Sequence, residues 1–110
     1  GNSDLPFTFG YGKVAVVVED CVSASVIGSD EYVGVAVLGT SLSEAHKKYM
    51  TRFSTAIIAL DPDALPKTLS FAKELRGYVH DIRVINLNDD LKYRDKNDII
   101  NLMNLTPKEI

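Results

Sequence analysis

The chain has little of what several common chemistries require. Its one cysteine, Cys21, excludes an internal disulfide and suits a reducing, cytoplasmic setting. With only His46 and His80 beside it, there is no cysteine–histidine array for zinc. No histidine lies near Cys21 in sequence, so the thiol reads as a small buried helix residue rather than a nucleophile. No apolar run approaches the roughly 20 residues of a membrane span and no charged-then-apolar leader opens the chain, so no membrane partner is expected. Neither a Gly-x-Gly-x-x-Gly loop, nor a Walker loop, nor a nucleophile elbow occurs. Basic excess is lacking too: 12 lysines and arginines against 15 acids give a formal net charge of -3. A free-standing nucleic-acid binder is usually basic, so any grip on nucleic acid needs a local patch, a metal or a partner domain.

What is present suits one α/β domain. The 110 residues are 45% hydrophobic and 25% charged, near the average for a globular protein, without repeats or low-complexity segments. Residues 1–12 read as an irregular arm. Within it Phe7, Phe9 and Tyr11 alternate, which leaves open a short edge strand, a stacking surface for single-stranded nucleic acid, or packing against the core or a neighbouring domain. Gly1-Asn2-Ser3 reads as a cloning remnant, and with a first clear strand only at Lys13 the chain is expected to be a piece of a longer protein.

Uniformly apolar, β-branched runs predict strands buried on both faces over residues 13–18, 33–38 and 55–60. A fourth strand over 82–87 alternates and is expected nearer the sheet edge. Helices are predicted over 21–27, stopped by Gly28, and over 42–52, capped by Ser41 or Ser43. Two more follow, over 65–75 with Pro66 in the first turn and over 98–105 capped by Asn97 or Asp98. Lys47, Lys48 and Arg52 give the second helix a basic face, read as solvated surface. Strands alternating with helices predict a Rossmann-like, four-stranded, mainly parallel sheet over residues 13–105, with helices on both faces. Residues 106–110 read as a tail.

The candidate chemistry lies at the carboxyl ends of these strands, which share one edge of a parallel sheet. Glu19 follows the first, the Gly39-Thr40 turn follows the second, and Asp61-Pro-Asp63 follows the third. Carboxylates held together repel unless a proton or cation intervenes, so a hard divalent metal is their natural partner. A further carboxylate beside such a metal can transfer protons, and Gly39 permits close backbone approach to a ligand. Taken alone, Asp-Pro-Asp reads equally as a turn in which Asp63 caps the next helix.

Val-Val-Val-Glu19, Ala-Val-Leu-Gly39-Thr-Ser-Leu-Ser and Ala-Leu-Asp61-Pro-Asp63-Ala together resemble the Toprim domain, over about residues 13–103. That family is shared by primases, topoisomerases, recombination mediators and some nucleases. Within it the bacterial and phage primases, including primase-helicases, are the most similar. Leu38-Gly39-Thr-Ser-Leu-Ser-Glu-Ala-His46 and the Arg94-Asp95-Lys-Asn97-Asp98 segment carry that finer likeness. Pro66 and Asn97 depart from it, standing where those primases usually have glycine and a carboxylate motif.

The resemblance implies magnesium- or manganese-dependent nucleotidyl transfer, joining ribonucleotides on a single-stranded DNA template. Glu19 would be the proton-transfer group, Asp61 and Asp63 with Glu19 and Asp95 would hold metal, and Gly39, Thr40, Asn97 and Asp98 would meet substrate. Asp95 to Asp98 also reads as a helix-capping turn. Other domains of a parent chain, among them a helicase, would be the partners. A Toprim nuclease, a non-catalytic assembly module, and a phosphate-binding domain like the response regulators are the alternatives.

Overall fold

Three apolar strands form the middle of one sheet: β2 (Val14–Val18), β3 (Tyr32–Ala36) and β4 (Thr55–Ile58). The computed structural model describes residues 5–39 and 41–107; residues 1–4, Thr40 and residues 108–110 lie outside the described residues. A fourth parallel strand, β5 (Asp81–Val84), pairs with β4 and forms one edge, where its partial exposure agrees with its alternating sequence. At the other edge β1 (Phe7–Gly10) runs antiparallel to β3, with Phe7 opposite Ala36 and Gly10 opposite Val33. The sheet therefore has five strands, in the order β1-β3-β2-β4-β5, rather than the expected four. The alternation of Phe7 and Phe9 was the signal, and the expected arm is in part a strand.

Each strand separates its side chains by parity between two cores. Ala15, Val17, Val35 and Ile58 face α2 (Glu44–Met50) and α3 (Leu65–Leu75), with Met50, Phe71 and Leu75 closing that layer. Val16, Val18, Ala36 and Ile57 face the opposite side, covered by α1 (Cys21–Ile27) and α4 (Lys96–Leu105) through Ala24, Ile27 and Leu102. Right-handed crossovers account for this split. The chain moves one way from β2 to β3 and the other way from β3 to β4 and β5, which puts α1 on one face and α2 and α3 on the other.

Gly34 in β3 lets α1 lie directly on the sheet, since a Cβ there would stand 2.2 Å from the Ala24 carbonyl oxygen. At the far end of the chain, the Thr106 hydroxyl bonds that of Tyr32 at 2.7 Å, so Thr106 belongs to the folded unit rather than to a tail. Among the described residues no helix is long and apolar enough to cross a membrane.

Candidate functional site

Strand order decides where a crevice opens. The chain leaves β2 for β3 on one side and returns to β4 on the other, so the switch point lies between β2 and β4. Loops diverge from the carboxyl ends at such a point, and ligands of open α/β sheets bind there. Glu19 directly follows β2, while the Ala59 amide beyond β4 still bonds the Val17 carbonyl at 2.8 Å. Asp61 leaves its strand near Glu19, close enough for that carboxyl group to push its pKa up.

A further acid, Asp90, closes on the same point, near enough to add to the rise in the Asp61 pKa. It arrives after β5, just ahead of a 3-10 turn (Leu91–Tyr93) whose Lys92 amide it caps at 3.0 Å. The buried Ser23 of α1 donates its hydroxyl to Asp90 Oδ1 at 2.6 Å, and Asp20 caps α1 by accepting from the Ser23 amide at 2.7 Å. Lysines border the group. Lys67 of α3 lies 3.5 Å from Glu19, and Lys92 lies 3.2 Å from Asp90 and 4.0 Å from Asp20.

This setting shifts two of the acids in opposite directions. Burial, then the neighbouring carboxyl group of Glu19, then that of Asp90, push the Asp61 carboxyl up to about 7. Burial works against ionisation of Asp90 as well, yet the Ser23 hydroxyl and the Lys92 amide and ammonium together hold it below the usual carboxylate range. Asp61 thus keeps its proton up to about pH 7 while Asp90 beside it is ionised well below that.

No protein-family model, curated protein or solved structure matches this chain.

The remaining expected residues divide sharply. Asp63 is exposed and does not cap α3, whose N-cap Ala64 has no side-chain bond, so the capping reading of Asp-Pro-Asp fails. Asp95 is itself the N-cap of α4, accepting from the Asp98 amide at 3.0 Å, in place of the expected Asn97 or Asp98. Asp98 is fully buried, and its two oxygens accept the amides of Asn88 and Asp89 at 2.7 and 3.0 Å. It is a latch for the loop that carries Asp90, with no open face for substrate. Asn97 is exposed on the first turn of α4, Gly39 is exposed beyond β3, and Thr40 lies outside the described residues. Ser43 alone caps α2, so the Ser41–Glu44 box spacing goes unused.

Glu19, Asp61 and Asp90 offer the oxygen donors that magnesium favours. Among the described residues, however, no group of three histidine, cysteine or acidic side chains stands arranged to hold a metal ion. The residue types suit such an ion, while the arrangement does not present them to one: Glu19 is turned onto Lys67 and Asp90 onto Lys92.

Proposed function

We propose that this chain is a Toprim-type phosphoryl-transfer module, working in a primase to join ribonucleotides on a single-stranded DNA template. The meeting of Glu19 and Asp61 at the switch point of the sheet supports this reading most directly, because these are the acids on which the resemblance rests. Asp61, Glu19 and Asp90 would hold magnesium or manganese, while Asp63, two residues on, is exposed. Such an ion, when bound, offsets charge on a reacting phosphate and lowers the pKa of an attacking hydroxyl. Glu19 keeps part of its surface open despite its Lys67 pair, so its carboxylate can accept a proton from a substrate hydroxyl. Ser23 and Lys92 fix Asp90. Net charge of -3 gives the chain little hold on DNA by itself, so binding a template calls for other domains of a parent protein.

The test is manganese binding and product analysis with ribonucleotides and single-stranded DNA. The expected result is metal binding that Asp61→Asn and Glu19→Gln weaken, with short ribo-oligonucleotides as product. Nicking of circular duplex DNA in their place would favour the nuclease reading. No metal bound at millimolar manganese would overturn the scheme.

A further inference from the structure

We propose that the outer edge of β1 takes up an extended peptide segment as a sixth strand, and that an arginine side chain of that segment seats among Phe9, Tyr11 and Asp30. In the order β1-β3-β2-β4-β5, β1 pairs with β3 alone, so the backbone groups along its other side have no partner within the sheet. Such edges are ordinarily guarded by lysine, proline or a bulge. Phe7-Thr-Phe-Gly10 has none of these and keeps a regular register with β3. It offers aromatic surface instead: Phe7, Phe9 and the following Tyr11 are 42%, 53% and 76% exposed.

These rings stand on a fixed backbone. Gly28, the C-cap of α1, leaves the space that the Phe9 ring occupies, since a Cβ there would lie 2.6 Å from it. Gly10, at a positive φ of 106°, closes on the Tyr32 carbonyl, where a Cβ would stand 2.2 Å away. The Tyr11 amide donates to the Ser29 carbonyl at 2.7 Å. Tyr11 is thus anchored through its backbone while most of its side chain meets water. A surface ordered in this way before a ligand arrives has less entropy to lose on binding.

Phe9, Tyr11 and Asp30 line one cavity of about 430 Å³, and no lysine, arginine or histidine among the described residues lines it with them. Asp30 and its neighbour Glu31 are exposed, and the ion pairs among the described residues engage neither. Aromatic faces attract cations through the ring quadrupole, and the carboxylate beside them supplies the opposite charge. Arginine answers both, because its planar guanidinium stacks on rings and pairs with carboxylate. Phosphate would meet uncompensated negative charge here, which disfavours single-stranded nucleic acid despite the stacking rings. An extended backbone supplies the remaining match, a row of donors and acceptors for those of β1.

The probes are blocked peptides of about eight residues, alternating threonine and valine around one central arginine. A second peptide replaces arginine with its uncharged analogue citrulline, and a third keeps arginine in a fully N-methylated backbone. Titration of the 110-residue chain followed by amide chemical shifts reads affinity and position together. The arginine peptide should bind with a Kd on the order of 100 μM and shift amides of β1 and of the Ser29–Glu31 turn. Citrulline should weaken binding about tenfold, Asp30→Asn about threefold and Tyr11→Ala about fivefold. The methylated peptide has no amide hydrogens to pair with β1 and should not bind. The proposal is overturned if the citrulline or methylated peptide binds as well as the arginine peptide, or if both variants bind it as well as the parent chain. No binding of the arginine peptide at millimolar concentration overturns it too. Oligothymidylate that shifts the same amides where the peptides do not would give this surface to single-stranded nucleic acid, and the proposal would fall.

Discussion

The carboxyl group of Glu19 stands near enough to that of Asp61, from the end of the adjacent parallel strand, to push its pKa up. Burial and a second carboxyl group favour keeping a proton on Asp61, and that proton has a measurable consequence. Asp61 is raised from 3.8 to about 7, so between those values the folded chain keeps a proton that the unfolded chain releases. Stability from this group therefore falls as pH rises from about 4 to about 7 and is flat above. Asp90, held low, acts with the opposite sign and only at the acid end, where its contribution is lost as pH falls.

Asp61→Asn separates the two groups. An asparagine has nearly the same shape as the protonated acid and no charge to hold in this buried, acidic setting. Thermal unfolding followed by circular dichroism should show the variant more stable than the parent chain at pH 8 and nearly equal to it at pH 4. A variant less stable at pH 8 would mean that the fold stabilises ionised Asp61, so that its pKa is not raised. A residue whose removal stabilises the fold while weakening metal binding is the pattern expected of a functional group.

Asp98→Ala tests the latch. It leaves the amides of Asn88 and Asp89 without their buried acceptor, at about 1–3 kcal/mol for each unsatisfied group. Denaturant unfolding should show a loss of about 2–5 kcal/mol, with hydrogen exchange accelerated at those amides ahead of the strand amides. A loss below about 1 kcal/mol would show that water replaces the carboxylate there.

The strands were legible because burial on both faces leaves an unbroken apolar run, as in Val14–Val18. The limits of α1 and α3 were legible because their stop and start signals, Gly28 and Pro66, are local. Glu19 and Asp61 could be placed on one edge because parallel topology puts all carboxyl strand ends together. Asp90 was not legible in the same way. Its position depends on Asp98 holding the loop from ten residues away, and on Ser23 from the other half of the chain, neither of which leaves a periodic signal. The rule that singled out Glu19 and Asp61, acids trailing a strand, applies equally to Asp89-Asp90 after the fourth strand and would have found it.

Gly34→Ala probes how α1 is seated. Its Cβ would meet backbone atoms of Ala24 at 2.2 and 2.7 Å, which no side-chain rotation relieves. Overpacking of this kind costs about 3 kcal/mol or more, so equilibrium unfolding should show at least that loss. Since α1 carries Asp20 and Ser23, the shift should also loosen Asp90. An alanine variant of unchanged stability would mean that α1 moves off β3 at no cost.

Ser23→Ala isolates the bond that keeps Asp90 low. The hydroxyl donates to a carboxylate at 2.6 Å from a buried position, and hydrogen bonds to charged groups contribute about 1.5–3 kcal/mol. Alanine is the better helix former, which returns about 0.5 kcal/mol within α1, and the volume removed is small. The net loss at pH 7 should therefore be about 1–2 kcal/mol by urea unfolding. Because the bond favours ionised Asp90, the difference between variant and parent chain should shrink as pH falls through the native pKa of Asp90. A loss that stays constant down to pH 2 would assign the effect to packing instead, and Ser23 would then have no part in setting the charge of the site.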